Sequence, residues 1–92
     1  MNRIPPEWPR TYHLHIVQRT QHPDFKKQIT DVLTEDDGCA VIHAQPEPAG
    51  RTRDGYLKWR KCIVQVRDSN CLFAMGDRLQ KGSITHSFRG LP

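Results

Sequence analysis

YLKWRKCIVQVR, residues 56–67, reads as a long strand whose alternation breaks in the middle. Leu57 and Trp59 share one parity, whereas Cys62, Val64 and Val66 share the other. Successive strand side chains point to opposite faces, so a regular strand cannot bury both sets on one side. A single inserted residue would restore the match. The pattern therefore predicts a bulge or sharp bend near Arg60–Cys62.

Beyond this strand, Asp68-Ser69-Asn70 reads as a turn into Cys71–Met75, whose unbroken apolar character suggests a central strand. Gly76-Asp77 is expected to end that run. Lys81-Gly82 then turns the chain into Ile84–Phe88, with Ile84, His86 and Phe88 on one face. Before the long strand, PEPAGRTRDG at 46–55 is rich in proline and glycine and reads as a flexible loop. Cys39–Ala44 ahead of it reads as a short, mostly buried strand.

The N-terminal half supplies a helix and a strand. His22-Pro23-Asp24 has the chemistry of a helix start, with proline suited to the first turn and aspartate to the positive end. Phe25, Ile29, Val32 and Leu33 fall at i, i+4, i+7 and i+8, one apolar stripe, and Gly38 is placed to cap the far end. In Tyr12–Gln18, Tyr12, Leu14 and Ile16 share one face while His13, His15 and Val17 share the other. Residues 1–10, with Pro5, Pro6 and Pro9, read as an extended arm. Trp8 either anchors this arm to the domain or is offered to a partner. No internal repeat or second domain is visible. The expectation is a single α+β domain over 11–92: one antiparallel-dominated sheet of four to five strands, in the order β-α-β-β-β-β, covered by one helix.

Composition narrows the class. Ninety-two residues, 26% charged and 36% hydrophobic, suit one globular core. MNRIPPEWPR has no apolar stretch of the secretory type, and Cys71–Met75 is far too short to cross a bilayer. Three cysteines without a CxxC spacing read as reduced, partly buried thiols, which points to a soluble cytoplasmic protein with no membrane role.

The net charge of +4 is unevenly distributed. Residues 1–50 carry five Lys/Arg against seven Asp/Glu, and residues 51–92 carry nine against three. The second half opens with RTRDGYLKWRK, residues 51–61, whose cations and rings suit a polyanion. Candidate nucleic-acid contacts are Arg51, Arg53, Tyr56, Lys58, Trp59, Arg60 and Lys61. A competing reading makes Leu57 and Trp59 core residues with solvated charges around them. Asp31, Glu35, Asp36 and Asp37 lie where carboxylates oppose the helix dipole, and are candidates for a protein contact or for pairing with the basic hairpin.

The sequence offers two further constellations. His13, His15, Cys39 and His43 could be assembled into a metal site on paper, but no short-spaced cysteine pair supports one, so neither metal nor cofactor is expected. His86 and Arg89 together with the basic cluster would suit a metal-independent RNase, by analogy of size and charge with small bacterial toxins. Ser83, Thr85 and Ser87 have no convincing His/Asp partners for nucleophilic work.

The reading favoured is a small basic module that contacts DNA or RNA without catalysis. The alternatives are an interaction module or inhibitor, of phage or plasmid accessory type, docking on a larger protein or nucleoprotein complex, and the RNase. An unpaired strand edge would also permit a homodimer.

Overall fold

The computed structural model describes residues 7–91. Five strands and two helices follow one another as β1 (Arg10–Gln18), α1 (Phe25–Leu33), β2 (Ala40–Ala44), β3 (Glu47–Arg51), β4 (Leu57–Val66), α2 (Ser69–Lys81) and β5 (Thr85–Gly90). The expected α+β layout with one antiparallel sheet is present. The strands order as β2-β4-β1-β5, and β3 pairs with β4 beside β2.

Strand directions explain why there are two helices. β2 and β1 both run antiparallel to β4, so they are parallel to each other and need a crossover, which α1 provides. β4 and β5 both run antiparallel to β1 and need a second crossover. Residues 69–81 supply it as a helix. This is the split β-α-β, or ferredoxin-like, arrangement.

The expectation of a central strand at Cys71–Met75 is therefore corrected, and with it the single covering helix. Asp68 caps α2, its carboxylate accepting the Cys71 N–H at 2.9 Å. Cys71, Met75 and Leu79 are buried at helical spacing, while Phe73 inside the same apolar run is 76% exposed. Five residues were too few to separate the two periodicities. Gly76 does not end the element; it sits where His86 Nε2 of β5 lies 3.9 Å from its ideal Cβ position.

The 46–55 stretch is also more ordered than its composition suggests. Pro46 is fully buried and Glu47–Arg51 pairs with β4, leaving the connection at Thr52–Tyr56 as a tight turn. Gly55 there has φ +87°, and its N–H donates to the Thr52 carbonyl at 3.0 Å. Asp24 caps α1, but that helix ends at Thr34; Gly38, at φ +81°, turns the chain into β2 instead. Arg10 already belongs to β1, and Trp8 packs against the core. Residues 1–6 of the expected arm lie outside the described residues.

Both helices cover one face of the sheet. The core beneath them joins Tyr12, Leu14 and Ile16 of β1 with Trp59, Cys62, Val64 and Val66 of β4, and with the helix stripes. The expected bulge is what lets β4 contribute both sets. Leu14 pairs with Cys62 and Ile16 with Trp59, so two residues, Arg60 and Lys61, oppose the single residue His15. Lys61 takes φ +63° to accommodate the extra residue.

The cysteines depart from the reduced reading. Cys39 and Cys71 form a disulfide with a Cα–Cα distance of 5.3 Å, joining the start of β2 to the first turn of α2. Cys62 is free and buried in the core. Cysteine usage accordingly gives no support to a reducing compartment. No helix among the described residues is long and apolar enough to cross a membrane.

Unfolded without reductant, the protein is expected to show one reactive thiol, rising to three after reduction, as read by thiol titration in denaturant. Cys39→Ser should lower unfolding stability by about 3–4 kcal/mol, the loop-entropy value for a bridge spanning this many residues; unchanged stability would contradict a formed bridge.

Candidate functional site

The other face of the sheet has no helix over it, and none of its side chains is buried. Directly opposed residues of antiparallel strands share a face, so the pairing fixes its layout. Val17 lies between Lys58 of β4 and Thr85 of β5. His13 lies between Ile63 and Arg89. His15 stands between them, opposite Ser87 on one side and the Arg60–Lys61 bulge on the other. At the end of β1, the Arg19 guanidinium sits 5.0 Å from the Tyr56 ring centroid. From Arg19 to His13 the strip runs about 20 Å along the strand. A depression of about 260 Å³ near its middle is walled by residues 15–17 of β1, 58–60 of β4 and 85–87 of β5.

The seven candidate residues of RTRDGYLKWRK are spread over the core, the open face, the bulge and the hairpin end. Trp59 is the clear exclusion: it is buried at 9% exposure, its ring 5.8 Å from that of Phe25, and its Nε1–H donates to Gln18 Oε1 at 3.0 Å. The competing reading, Trp59 as core, is the one the fold adopts; stacking on this indole is excluded. Lys58 and Arg60 have the opposite parity and lie on the open face. Lys61, in the bulge, is exposed and pairs with Glu47 at 3.3 Å. Arg51 and Arg53 belong to the hairpin end, where Arg51 Nη1 donates to the Gly55 carbonyl at 2.8 Å and Arg53 is exposed. Tyr56, 36% exposed, is the ring that remains accessible in this stretch.

Ion pairing sharpens the picture. Arg67, Arg78, Lys81 and Lys61 of the basic half are each matched by a carboxylate. Among the described residues, Arg51, Arg53, Lys58, Arg60 and Arg89 have no such partner. Three of these five, Lys58, Arg60 and Arg89, share the open face.

Three of the four acidic residues are paired within the fold. Arg78 of α2 reaches Glu35 at 3.1 Å and Asp36 at 2.7 Å, and its Nε also donates to the Val32 carbonyl at 3.3 Å. Asp31 pairs with Lys27 at 2.8 Å. The Arg78 contacts offset the unfavourable charge at the end of α1 and tie the two helices together. The partner is α2, not the basic hairpin. Asp37 is exposed.

The histidines also regroup. His86 pairs with Ile16 on the helix-covered face, its Nδ1 2.8 Å from the Ile84 carbonyl, while Arg89 is on the open face. The His86–Arg89 grouping is thus split by the sheet. In its place, His13 and His15 have ring centroids 6.0 Å apart. Among the described residues, imidazole hydrogen bonds belong to His22, His43 and His86, and the rings of His13 and His15 make none. Burial, then the positive neighbours Arg89, His13 and Arg60, hold the His15 pKa below the ordinary 6.5. Cys39, once a candidate ligand, is in the disulfide. No group of three or more His, Cys, Asp or Glu side chains among the described residues is placed to hold a metal ion.

No protein-family model matches the chain, and neither a curated protein nor a solved structure is similar enough to count as a match.

A depressed histidine pKa makes folding favour the neutral ring, so this contribution is present above pH 6.5 and lost as the pH falls below it. Thermal unfolding measured from pH 7.5 to 5 is expected to lose less stability in His15→Gln than in the wild type. Parallel curves for the two proteins would contradict the partial burial of His15 beside Arg89, His13 and Arg60.

Proposed function

We propose that the protein is a small binding domain that holds single-stranded nucleic acid across its open sheet face. The observation that carries this reading is the register, which sets Lys58, Arg60 and Arg89 around His13 and His15 on a surface covered by neither helix. Unpaired cations there can displace counterions from a phosphate chain. A single strand suits a sheet face better than a duplex does, because its bases are free to lie against exposed rings and strand side chains. Open four-stranded sheets serve RNA recognition elsewhere, which is an analogy of architecture only. Tyr56 with Arg19 offers one stacking position at the end of the strip.

The hairpin is thus the margin of the interface, with Arg51 and Arg53 as outlying cations. It offers one accessible ring and not two, since Trp59 belongs to the core. Of the acidic residues that would serve an interaction module, Asp31, Glu35 and Asp36 are matched within the fold by Lys27 and Arg78.

Fluorescence anisotropy with labelled single-stranded RNA and DNA at several salt concentrations tests the proposal. Affinity should fall as salt rises. Lys58→Ala and Arg60→Ala should each weaken binding and reduce the log–log salt slope by about 0.7, the value for one phosphate contact on a single strand. Lys27→Ala, on the far side of the molecule, should leave both unchanged. Absence of saturable binding at low salt, or equal losses in all three variants, would overturn the proposal.

A further inference from the structure

We propose that the open face is also a catalytic surface, on which His15 and His13 cleave the backbone of single-stranded RNA between Arg60 and Arg89. The inference rests on the binding reading above and narrows its ligand to RNA, since the reaction needs a 2′-hydroxyl.

Five features converge on this spot. The two imidazoles are separated by 6.0 Å between ring centroids, close enough for one phosphodiester to meet both. Neither ring is tied up by a hydrogen bond among the described residues. The two guanidiniums come from different strands: Arg89 of β5 directly opposes His13, and Arg60 of β4 sits in the bulge opposite His15. Among the described residues no carboxylate is within ion-pair distance of either; Glu47, which directly opposes Arg60 on β3, pairs with Lys61 instead. The surface is open beside the depression at Val17, giving a chain of phosphates room to pass.

The chemistry balances without any co-reactant. The 2′-oxygen of one nucleotide attacks the adjacent phosphorus, and its proton passes to a nitrogen of neutral His15. The bond from phosphorus to the 5′-oxygen breaks, and that oxygen takes a proton from His13, which acts as the general acid. The products are a 2′,3′-cyclic phosphate and a 5′-hydroxyl. Arg60 and Arg89 meet the non-bridging oxygens, where negative charge builds in the transition state. The role of base falls to His15 because its surroundings favour the uncharged ring.

The bulge has a part in this. Without the extra residue, β4 could not place Trp59 and Cys62 in the core and Arg60 beside His15 at once. The His86–Arg89 pair cannot do the same work, because the sheet separates the two side chains.

The test incubates the full chain with a single-stranded oligoribonucleotide in EDTA and analyses the fragments by mass. The all-2′-deoxy oligonucleotide is measured in parallel for binding. The expected result is RNA fragments ending in 2′,3′-cyclic phosphate, with the rate falling by about 10²–10⁴-fold in His15→Gln and in His13→Gln. Both variants should still unfold cooperatively, so that a lost rate reports chemistry. The deoxy strand should be bound and remain intact.

Binding of RNA without cleavage would overturn this inference and leave the binding reading standing. Cleavage at an unchanged rate in folded His15→Gln, or cleavage leaving only linear phosphate ends, would overturn it too. Failure to bind either strand would remove both.

Discussion

One extra residue in β4 governs how this chain can fold. Leu57, Trp59, Cys62, Val64 and Val66 must share the helix-covered side, yet their spacing changes parity between Trp59 and Cys62. The insertion at Arg60–Lys61 absorbs that change, at the cost of a left-handed backbone at Lys61, φ +63°. β4 is central, pairing with β1 on one side and with β2 and β3 on the other, so its register is transmitted to the whole sheet. A slip by one residue would bring Lys58 and Arg60 into the core and turn Trp59 out to solvent.

The same constraint arranges the surface. Once the apolar set faces the helices, the intervening cations have only the opposite face to occupy. β1 contributes His13 and His15 there by simple alternation, and β5 contributes Arg89. The two crossovers, α1 and α2, lie on one side and leave the other uncovered by helix. The candidate site is thus a by-product of the way the core is satisfied. Its residues are distant in the sequence, from His13 to Arg89, and meet only because β1 lies between β4 and β5.

This explains which parts of the molecule could be read from residues alone. The defect in β4 was legible because five apolar side chains record it directly. The first strand and the stripe of α1 were legible for the same reason. Cys71–Met75 misled because a short apolar run fits strand and helix equally; the decisive cues were Asp68 at the cap position and Leu79 farther along. The short β3 was hidden by prolines and glycine that tolerate an edge but do not announce it. The disulfide was invisible because residues 32 apart carry no local signature of contact. The split between Trp59 and its charged neighbours was readable from parity, but their meeting with His15 and Arg89 required the strand order. Arg78 could not be foreseen as the partner of Glu35 and Asp36 while its helix was read as strand and turn.

The central claim is the bulge, and paired glycine substitutions test it most directly. At an ordinary strand position glycine costs about 0.5–1 kcal/mol, whereas in a left-handed conformation it relieves a penalty of about 1–2 kcal/mol. Chemical denaturation of Lys61→Gly and Lys58→Gly should therefore move in opposite directions, the first matching or exceeding wild-type stability and the second falling below it. Equal destabilisation by both would mean that β4 passes regularly through Lys61, and the sorting of indole from cations described above would not hold.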